Sequence, residues 1–409
     1  MPTHIGAGAV IIPSMSKRME KALIAALTPV ARLDEWPCPH FPTCGGCVLQ
    51  DRAYADQVAV KRTALLELWG ALLPPALHDA FTVTPSPDPF GYRLRMDYVC
   101  SDDRMGLRQR KRFFAVLDVQ ECHLIPPATF DLVRAVYNET RRLGIPDYNV
   151  YHGTGFLRYL VLRRNVRDEW LLAFVTSAHT HNAELEAAAQ FALAQGATSV
   201  WWLHNPHQSD TSFGAPLAFW GAEHLPQYVA DATLAVGPNT FFQNNIGGFE
   251  QILQFAQPHL AGATRLVDAY AGVGTIGIVL GREVERVVAM ELVEESVGLL
   301  HYNLRLNGLD ERTEVLAGDV AVLLRDFAWQ PGDVAVLDPP RAGLMPPVCK
   351  LLNERGPQRI VYISCNAVTQ LQDLALLPNY RITAARGFDL FPQTFHSEQV
   401  VVLERGAGD

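Results

Sequence analysis

Two short segments near the end of the chain carry the residues most able to do chemistry. VAVLDPPRAG, ending at Gly343, and VYISCNAVTQ, holding Cys365, each begin as an apolar run that reads as a buried strand. Each then breaks into small, polar or proline-containing residues, and in open α/β sheets such strand ends face the ligand crevice. A cysteine there is a candidate nucleophile, because a thiolate is polarisable and already populated to a few per cent near neutral pH. An isolated cysteine in an apolar strand is otherwise a packing thiol. Cys100 and Cys349 have no motif around them and are read that way.

Upstream, TRLVDAY followed by AGVGTIGIVLG has the form of a strand, a glycine-rich turn and a helix. Gly272, Gly274 and Gly277 omit side chains where a backbone must approach a nucleotide-like ligand and a helix must pack on its strand. Tyr270 stands where it could cover that ligand. Nineteen residues after Gly272, RVVAMEL ends a second strand with Glu291, placed to accept hydrogen bonds from ribose hydroxyls. A third strand, TEVLAGD, ends in Asp319, which could meet an adenine edge. The glycine loop alone would fit a dinucleotide fold equally well. A dehydrogenase needs neither Asp338-Pro339-Pro340-Arg341 nor Ser364-Cys365-Asn366, and together these segments resemble an S-adenosylmethionine-dependent methyltransferase. An amino-methyltransferase would follow its two prolines with a stacking aromatic, where Arg341 stands here, and would have no need of Cys365.

From about Thr240 onward the chain resembles the RNA uridine-5-methyltransferases. FFQNN, DAYAGVGTIG, LDPPRAG, ISCN and FPQTFHSEQVVVLER carry the likeness in order. It departs from the family pattern at Ala271, usually cysteine, and at Ala367, often proline. The resemblance implies that Cys365 adds to carbon 6 of uracil, which turns carbon 5 into an enolate-like centre able to attack a sulfonium methyl group. The carbon 5 proton must then leave, and the resemblance assigns its removal to Glu398, with His396 the runner-up. Gln243 of FFQNN and Asp338 would contact the uracil or the cofactor, and Arg341 would hold a phosphate or brace the cysteine loop. The target base would have to leave its stack.

A second group lies near the other end. CPHFPTCGGC holds Cys38, Cys44 and Cys47, and Cys122 follows far downstream in QECHLIPP. Three cysteines in a Pro- and Gly-rich loop with one distant partner read as a four-thiolate site for zinc or an iron–sulfur cluster, which spacing alone does not separate. The family resemblance implies a structural [4Fe-4S] cluster. His40 and His123 are read as incidental neighbours. Seven cysteines, an odd total, and no convincing secretory signal argue against disulfides and for a reducing cytoplasm.

These residues need a scaffold, and 409 residues with 49% hydrophobic content can bury more than one core. The expected class is α/β: a class I, Rossmann-like methyltransferase domain over 241–409 and a mixed α/β central RNA-binding domain over 80–240. Ahead of these stand a cysteine loop and helix over 38–79 and a lead over 1–37 with the helix SKRMEKALIAAL. Met15 is a candidate start, and too little chain precedes Cys38 for the RNA-binding β-barrel with which family members often begin. No membrane span or obligate protein partner is expected. A net charge of −9 argues against a nucleic-acid partner until its distribution is considered. Arg93, Arg95, Arg104, Arg108, Arg110, Lys111 and Arg112 form one basic cluster, and Arg158, Arg163, Arg164 and Arg167 another. Tyr92, Tyr98, Phe113, Phe114 and Tyr159 are interleaved, as phosphate contact with base stacking requires. The expected partner is RNA, with the resemblance favouring 23S rRNA over tRNA. The rival is an inactive, metal-stabilised RNA-binding protein.

Overall fold

The computed structural model describes residues 17–208 and 210–406. Met15 and the lead before it lie outside these residues; the helix expected beside them runs Lys17–Leu27.

After a short β1 (Val83–Thr84), a central sheet is built from β2 (Arg95–Ser101), β3 (Arg104–Gln109), β4 (Arg112–Asp118), β5 (Leu157–Arg164), β6 (Trp170–Thr176), β7 (Ser199–His204) and β8 (Ala215–Gly221). Its order is β4-β3-β2-β5-β6-β7-β8. Of its pairs, β6 and β7 run parallel, joined by the crossover helix Asn182–Ala194 that a parallel pair requires. That helix and Pro127–Arg142 cover one face, where Phe130, Val133, Leu160 and Phe174 pack. A hairpin, β9 (Leu225–Val229) and β10 (Ala232–Val236), leads to the second sheet.

The second sheet contains β11 (Arg265–Ala269), β12 (Arg286–Glu291), β13 (Thr313–Ala317), β14 (Asp333–Leu337), β15 (Arg359–Ser364), β16 (Tyr380–Phe388) and β17 (Glu398–Arg405). The order β1-β16-β17-β15-β14-β11-β12-β13 inserts antiparallel β17 between β15 and β16. Strands β11 to β15 run parallel, and the apolar run DVAVL of β14 is buried throughout, as a strand covered on both faces must be. The order of strand addition reverses between β11 and β14: the chain steps outward from β11 to β12 and β13, then returns to place β14 and β15 on the other side. Ligands bind outside the carboxyl ends of strands at such a switch point, and those ends carry Tyr270 and Asp338. The α/β architecture expected from sequence is present.

The helices Lys17–Leu27 and Tyr54–Trp69 pack on this second sheet: Leu23, Leu65 and Trp69 share a core with Tyr362, Val401 and Leu403. Val83 pairs with Gly387, so β1 also belongs to this sheet. Lys61, from the second helix, donates to Asp389 Oδ1 at 2.6 Å with both side chains fully buried, and to Phe391 O at 3.1 Å. Burial pulls the Lys61 ammonium below its usual range while Asp389 holds it up. Replacing Lys61 with Ala strands a buried carboxylate, so equilibrium denaturation should show a loss of about 3–5 kcal/mol. Replacing both partners with apolar residues should recover most of it.

Candidate active site

The peptide around Cys365 is fixed by its neighbours. Asn366 caps the helix Ala367–Ala375, its Oδ1 accepting from Val368 N at 3.2 Å, and its own N–H donates to Ser364 Oγ at 3.1 Å. The loop after β14 is stitched to this turn, because Arg341 O accepts from Asn366 Nδ2 at 3.0 Å and from Thr369 Oγ1 at 3.2 Å. Cys365 is thereby held, partly exposed, at the end of β15.

Strand β17 brings the acid. The antiparallel register pairs Ile363 with Val400 and Ser364 with Gln399, so Cys365 and Glu398 are the next residues at the end of that ladder, and Glu398 acts on the Cys365 thiol. Burial pushes the Glu398 carboxyl well above its ordinary range, Asp338 raises it further, and Arg341 opposes both. The Cys365 thiol is raised by burial and by Glu398 and Asp338, with Arg341 favouring the thiolate. His396 is held down to about 4 by burial and by Arg341, which leaves a neutral imidazole. Arg341 can only donate, so at 3.4 Å from its Nη2 the His396 Nδ1 is the acceptor and Nε2 carries the proton. Replacing Arg341 with Gln should push the thiol higher still. Alkylation of Cys365 by iodoacetamide, followed by peptide mass spectrometry, should then slow at fixed pH and need a higher pH to recover; an unmoved profile would remove Arg341 from this role.

Asp338 closes the site from β14, its carboxyl pushed up to about 7 by burial. Gln243 Nε2 stands 3.4 Å from Asp338 Oδ2. The Gln243 segment is tied down on both sides. Leu94 N donates to Asn244 O at 3.0 Å. Asn245 caps the helix Ile246–Ala256 while its Nδ2 donates to Ser86 Oγ at 2.9 Å and Leu390 O at 3.1 Å.

At the end of β11 the chain turns through Tyr270 with φ +69 and Gly272 with φ +56. A side chain at Gly272 would meet nothing within 4 Å, so the loop borders open space. Glu291 anchors that loop: Oε2 accepts from Gly272 N at 2.8 Å, and Oε1 from Leu292 N at 2.8 Å and Val293 N at 2.7 Å. Oε2 keeps a second lone pair for a ligand hydroxyl. Asp319 caps the helix Val320–Asp326 through Oδ1, bonded to Ala321 N at 2.8 Å and Val322 N at 3.2 Å. The exposed apolar side chains Leu292, Val293 and Val322 flank these two acids. They supply walls suited to an adenine face that sequence reasoning passed over; the signal was an apolar residue directly after the strand-end acid. Asp268 was also passed over. It is fully buried, accepts from Gly277 N at 2.7 Å through Oδ2, leaves Oδ1 without a partner, and is pushed up to about 8 by burial, with Asp338 and Glu291 adding to the shift.

The four N-terminal and central cysteines converge. Cys38, Cys44, Cys47 and Cys122 line one cavity with His40 and His123. All four thiols are raised by burial, Cys47 to about 12 and Cys122 to about 11. None is in a disulfide. Among the described residues, no group of three or more His, Cys, Asp or Glu side chains is arranged to hold a metal ion. His40 Nε2 accepts from Gln120 N at 2.9 Å, which braces the strand end before Cys122. Cys100 and Cys349 are fully buried, as packing residues are.

Three of the four arginines in the second basic cluster do not face solvent, whereas Arg167 is exposed with its guanidinium over the Tyr228 ring. Arg158, Arg163 and Arg164 are 2%, 3% and 7% exposed. Arg158 donates to Asn205 O at 2.9 Å and to His207 O. Arg163 donates to Pro238 O at 3.2 Å and to Thr240 O, and Arg164 to Gly91 O at 2.9 Å. Their expected contact with phosphate is therefore corrected: Arg163 positions the segment leading to Gln243. Tyr92, Tyr98 and Tyr159 are buried as well and cannot stack on a base.

Comparison with known proteins agrees with this geometry. The family described as tRNA (Uracil-5-)-methyltransferase matches residues 320–406. A tRNA (uracil(54)-C(5))-methyltransferase of Pyrococcus furiosus is 30% identical over 369 residues, 90% of this chain and 85% of the relative. An uncharacterised RNA methyltransferase of Caldanaerobacter subterraneus is 32% identical over 391 residues, 91% of this chain and 85% of the relative. The crystal structure of Pyrococcus abyssi tRNA (uracil-54, C5)-methyltransferase in complex with S-adenosyl-L-homocysteine superposes with a TM-score of 0.75 at 30% identity, covering 89% of this chain and 86% of that one. With likeness of that extent and a cysteine, an acid and a glycine loop at one crevice, the chain belongs to the RNA uracil-5-methyltransferase family.

Proposed function

We propose that this enzyme transfers a methyl group from S-adenosylmethionine to carbon 5 of a uridine in RNA, with Cys365 as nucleophile and Glu398 as base. The observation that carries the reading is the β15–β17 ladder, which ends at Ser364 against Gln399 and so brings the next residue of each strand end, Cys365 and Glu398, to one place beside Asp338 and Gln243. S-adenosylmethionine would lie over the open face of Gly272, its ribose on Glu291 and its adenine between the apolar walls near Asp319. Arg341 favours the thiolate that bonds to carbon 6. Electrons pushed through the ring let carbon 5 take the methyl group, releasing S-adenosylhomocysteine. Glu398 then accepts the carbon 5 proton, the ring double bond re-forms and the Cys365 thiolate departs. Gln243, donor and acceptor at once, suits the uracil edge.

The two Pyrococcus relatives named above act, by their names, on tRNA, so tRNA is placed ahead of 23S rRNA as the substrate. Mass-spectrometric mapping of 5-methyluridine in tRNA and ribosomal RNA from cells with and without this gene tests both. Loss at one tRNA position is the expected result, loss in 23S rRNA would reverse the order, and no loss in either would overturn the reading.

The four thiols around one cavity are the right donor set for a [4Fe-4S] cluster, which needs one thiolate at each iron. A single zinc ion would draw all four sulfurs to about 2.3 Å of one point. Bound there, the cluster would supply structural cross-linking and no redox step. Anaerobically purified protein is expected to contain iron and inorganic sulfide and to be coloured, and Cys47→Ser to lose both. A colourless protein holding one zinc ion would overturn the cluster.

A further inference from the structure

Most large apolar side chains of the central sheet are buried, but the tip of the β3–β4 hairpin is not. Phe113 and Phe114 are 53% and 59% exposed, and Tyr151, from the loop before β5, is 74% exposed. The three rings form one ladder: Phe113 and Phe114 lie 5.1 Å apart at 86°, and Phe114 and Tyr151 5.8 Å apart at 86°. Arg108 covers one side of Phe113 at 4.4 Å and is held there by Asp210, its Nε donating to Oδ2 at 2.9 Å. The turn residues Arg110 and Lys111, with Arg112 beside them, are exposed. Among the described residues their side chains have no ion-pair or hydrogen-bond partner.

The hairpin is also anchored. Gly45 N donates to Arg108 O at 3.0 Å and Arg110 N to Thr43 O at 2.9 Å, so the cysteine loop runs along the hairpin edge. A side chain at Gly45 would stand 2.7 Å from Arg108 O, a contact only glycine permits. The same loop reaches the catalytic segment, where Val48 N and Leu49 N donate to Gln393 O at 2.8 and 3.1 Å. Four residues lie between Thr43 and Val48, a span of at most about 18 Å. The aromatic tip is thus fixed relative to the segment that carries His396 and Glu398.

Exposed rings beside unpaired cations match the chemistry of unpaired nucleotides, which offer a π-face and a phosphate together; duplex RNA offers mainly the phosphate. We propose that Phe113, Phe114 and Tyr151, with Arg110, Lys111 and Arg112, form a stacking site for an unpaired nucleotide of the substrate RNA other than the target uridine. The proposal rests on the RNA-methylating function and adds a place where the RNA is gripped away from the reacting base.

A short single-stranded oligoribonucleotide carrying 2-aminopurine, and the same sequence as a duplex, test it by fluorescence and anisotropy. The wild-type enzyme should quench the single strand. Phe113→Ala, Phe114→Ala and Tyr151→Ala combined should bind it about 5- to 150-fold more weakly, the range of one stacked base. Trp at positions 113 and 114 should restore binding, and S-adenosylmethionine affinity measured by calorimetry should not move. Equal binding by the triple Ala variant, or an equal loss on the duplex, would overturn the stacking site. So would self-association that the variant abolishes while RNA binding stays intact, which would mark a protein contact. If the wild-type enzyme methylates RNA and the variant does so with an unchanged KM, the stacking site alone falls; if the wild-type enzyme binds S-adenosylmethionine but neither binds nor methylates RNA, the functional reading falls with it.

Discussion

Replacing Cys365 with Ala should abolish 5-methyluridine formation and every covalent complex with RNA, while the protein still binds S-adenosylmethionine. In the proposed reaction carbon 5 of uracil gains its nucleophilicity from the bond to sulfur, and no other cysteine stands at that crevice: Cys349 and Cys100 are sealed in cores and the remaining four line a separate cavity. Loss of the covalent step should lower turnover by at least about 10⁴-fold, on the order of 5 kcal/mol of barrier. Cys365 is only partly exposed and lies in a turn fixed by Ser364 and Asn366, so alanine leaves the fold intact. Methylated RNA from the Ala variant at more than a trace would remove Cys365 from the reaction.

Glu398→Gln should behave differently: turnover falls, and a methylated RNA–protein adduct accumulates. Glutamine keeps the shape but cannot take the carbon 5 proton, so the reaction stops after methyl transfer with the sulfur still on carbon 6. General base catalysis contributes about 10²- to 10⁴-fold, and that factor should fall on elimination alone. With a methyl-labelled donor, the label should run with the protein on a denaturing gel. Unlabelled adduct would place Glu398 before methyl transfer, and full turnover would pass the role elsewhere. His396 is the weaker base, since its imidazole is held down to about 4 whereas burial raises Glu398.

The catalytic half was legible because its chemistry sits at strand ends, and strand ends announce themselves as apolar runs broken by Gly, Pro and polar residues. Asp338, Cys365 and Glu291 follow that rule. The convergence of the four cysteines was legible because three of them crowd one short Gly- and Pro-rich loop, and the structure brings Cys122 to the same cavity; a metal bound among them is an expectation from the sequence. Burial of charge was not legible. FLRYLVLRRN reads as a strand whose arginines would face water, yet the partners that bury them are the carbonyls of Pro238, Thr240, Asn205 and Gly91, all distant in sequence. Nor was the packing of the N-terminal helices on the catalytic sheet, because Lys61 and Asp389 are separated by 328 positions and neither sits in a motif. Asp268 looked like part of an apolar strand for a similar reason: its meaning lies in the charges across the sheet.

The strand that carries Glu398 lies between β15 and β16 but follows both in the chain. During synthesis, therefore, this sheet cannot be laid down edge to edge. Until β17 is available, β15 has a bare edge with Cys365 at its end, and β16 has no neighbour on its inner side. An unpaired edge invites pairing with another chain, and N-terminal segments leave the ribosome first. A nascent or truncated chain that stops short of Glu398 would hold the proposed nucleophile without the proposed base and two open seams in its largest sheet. Closing those seams and assembling the active site are one event.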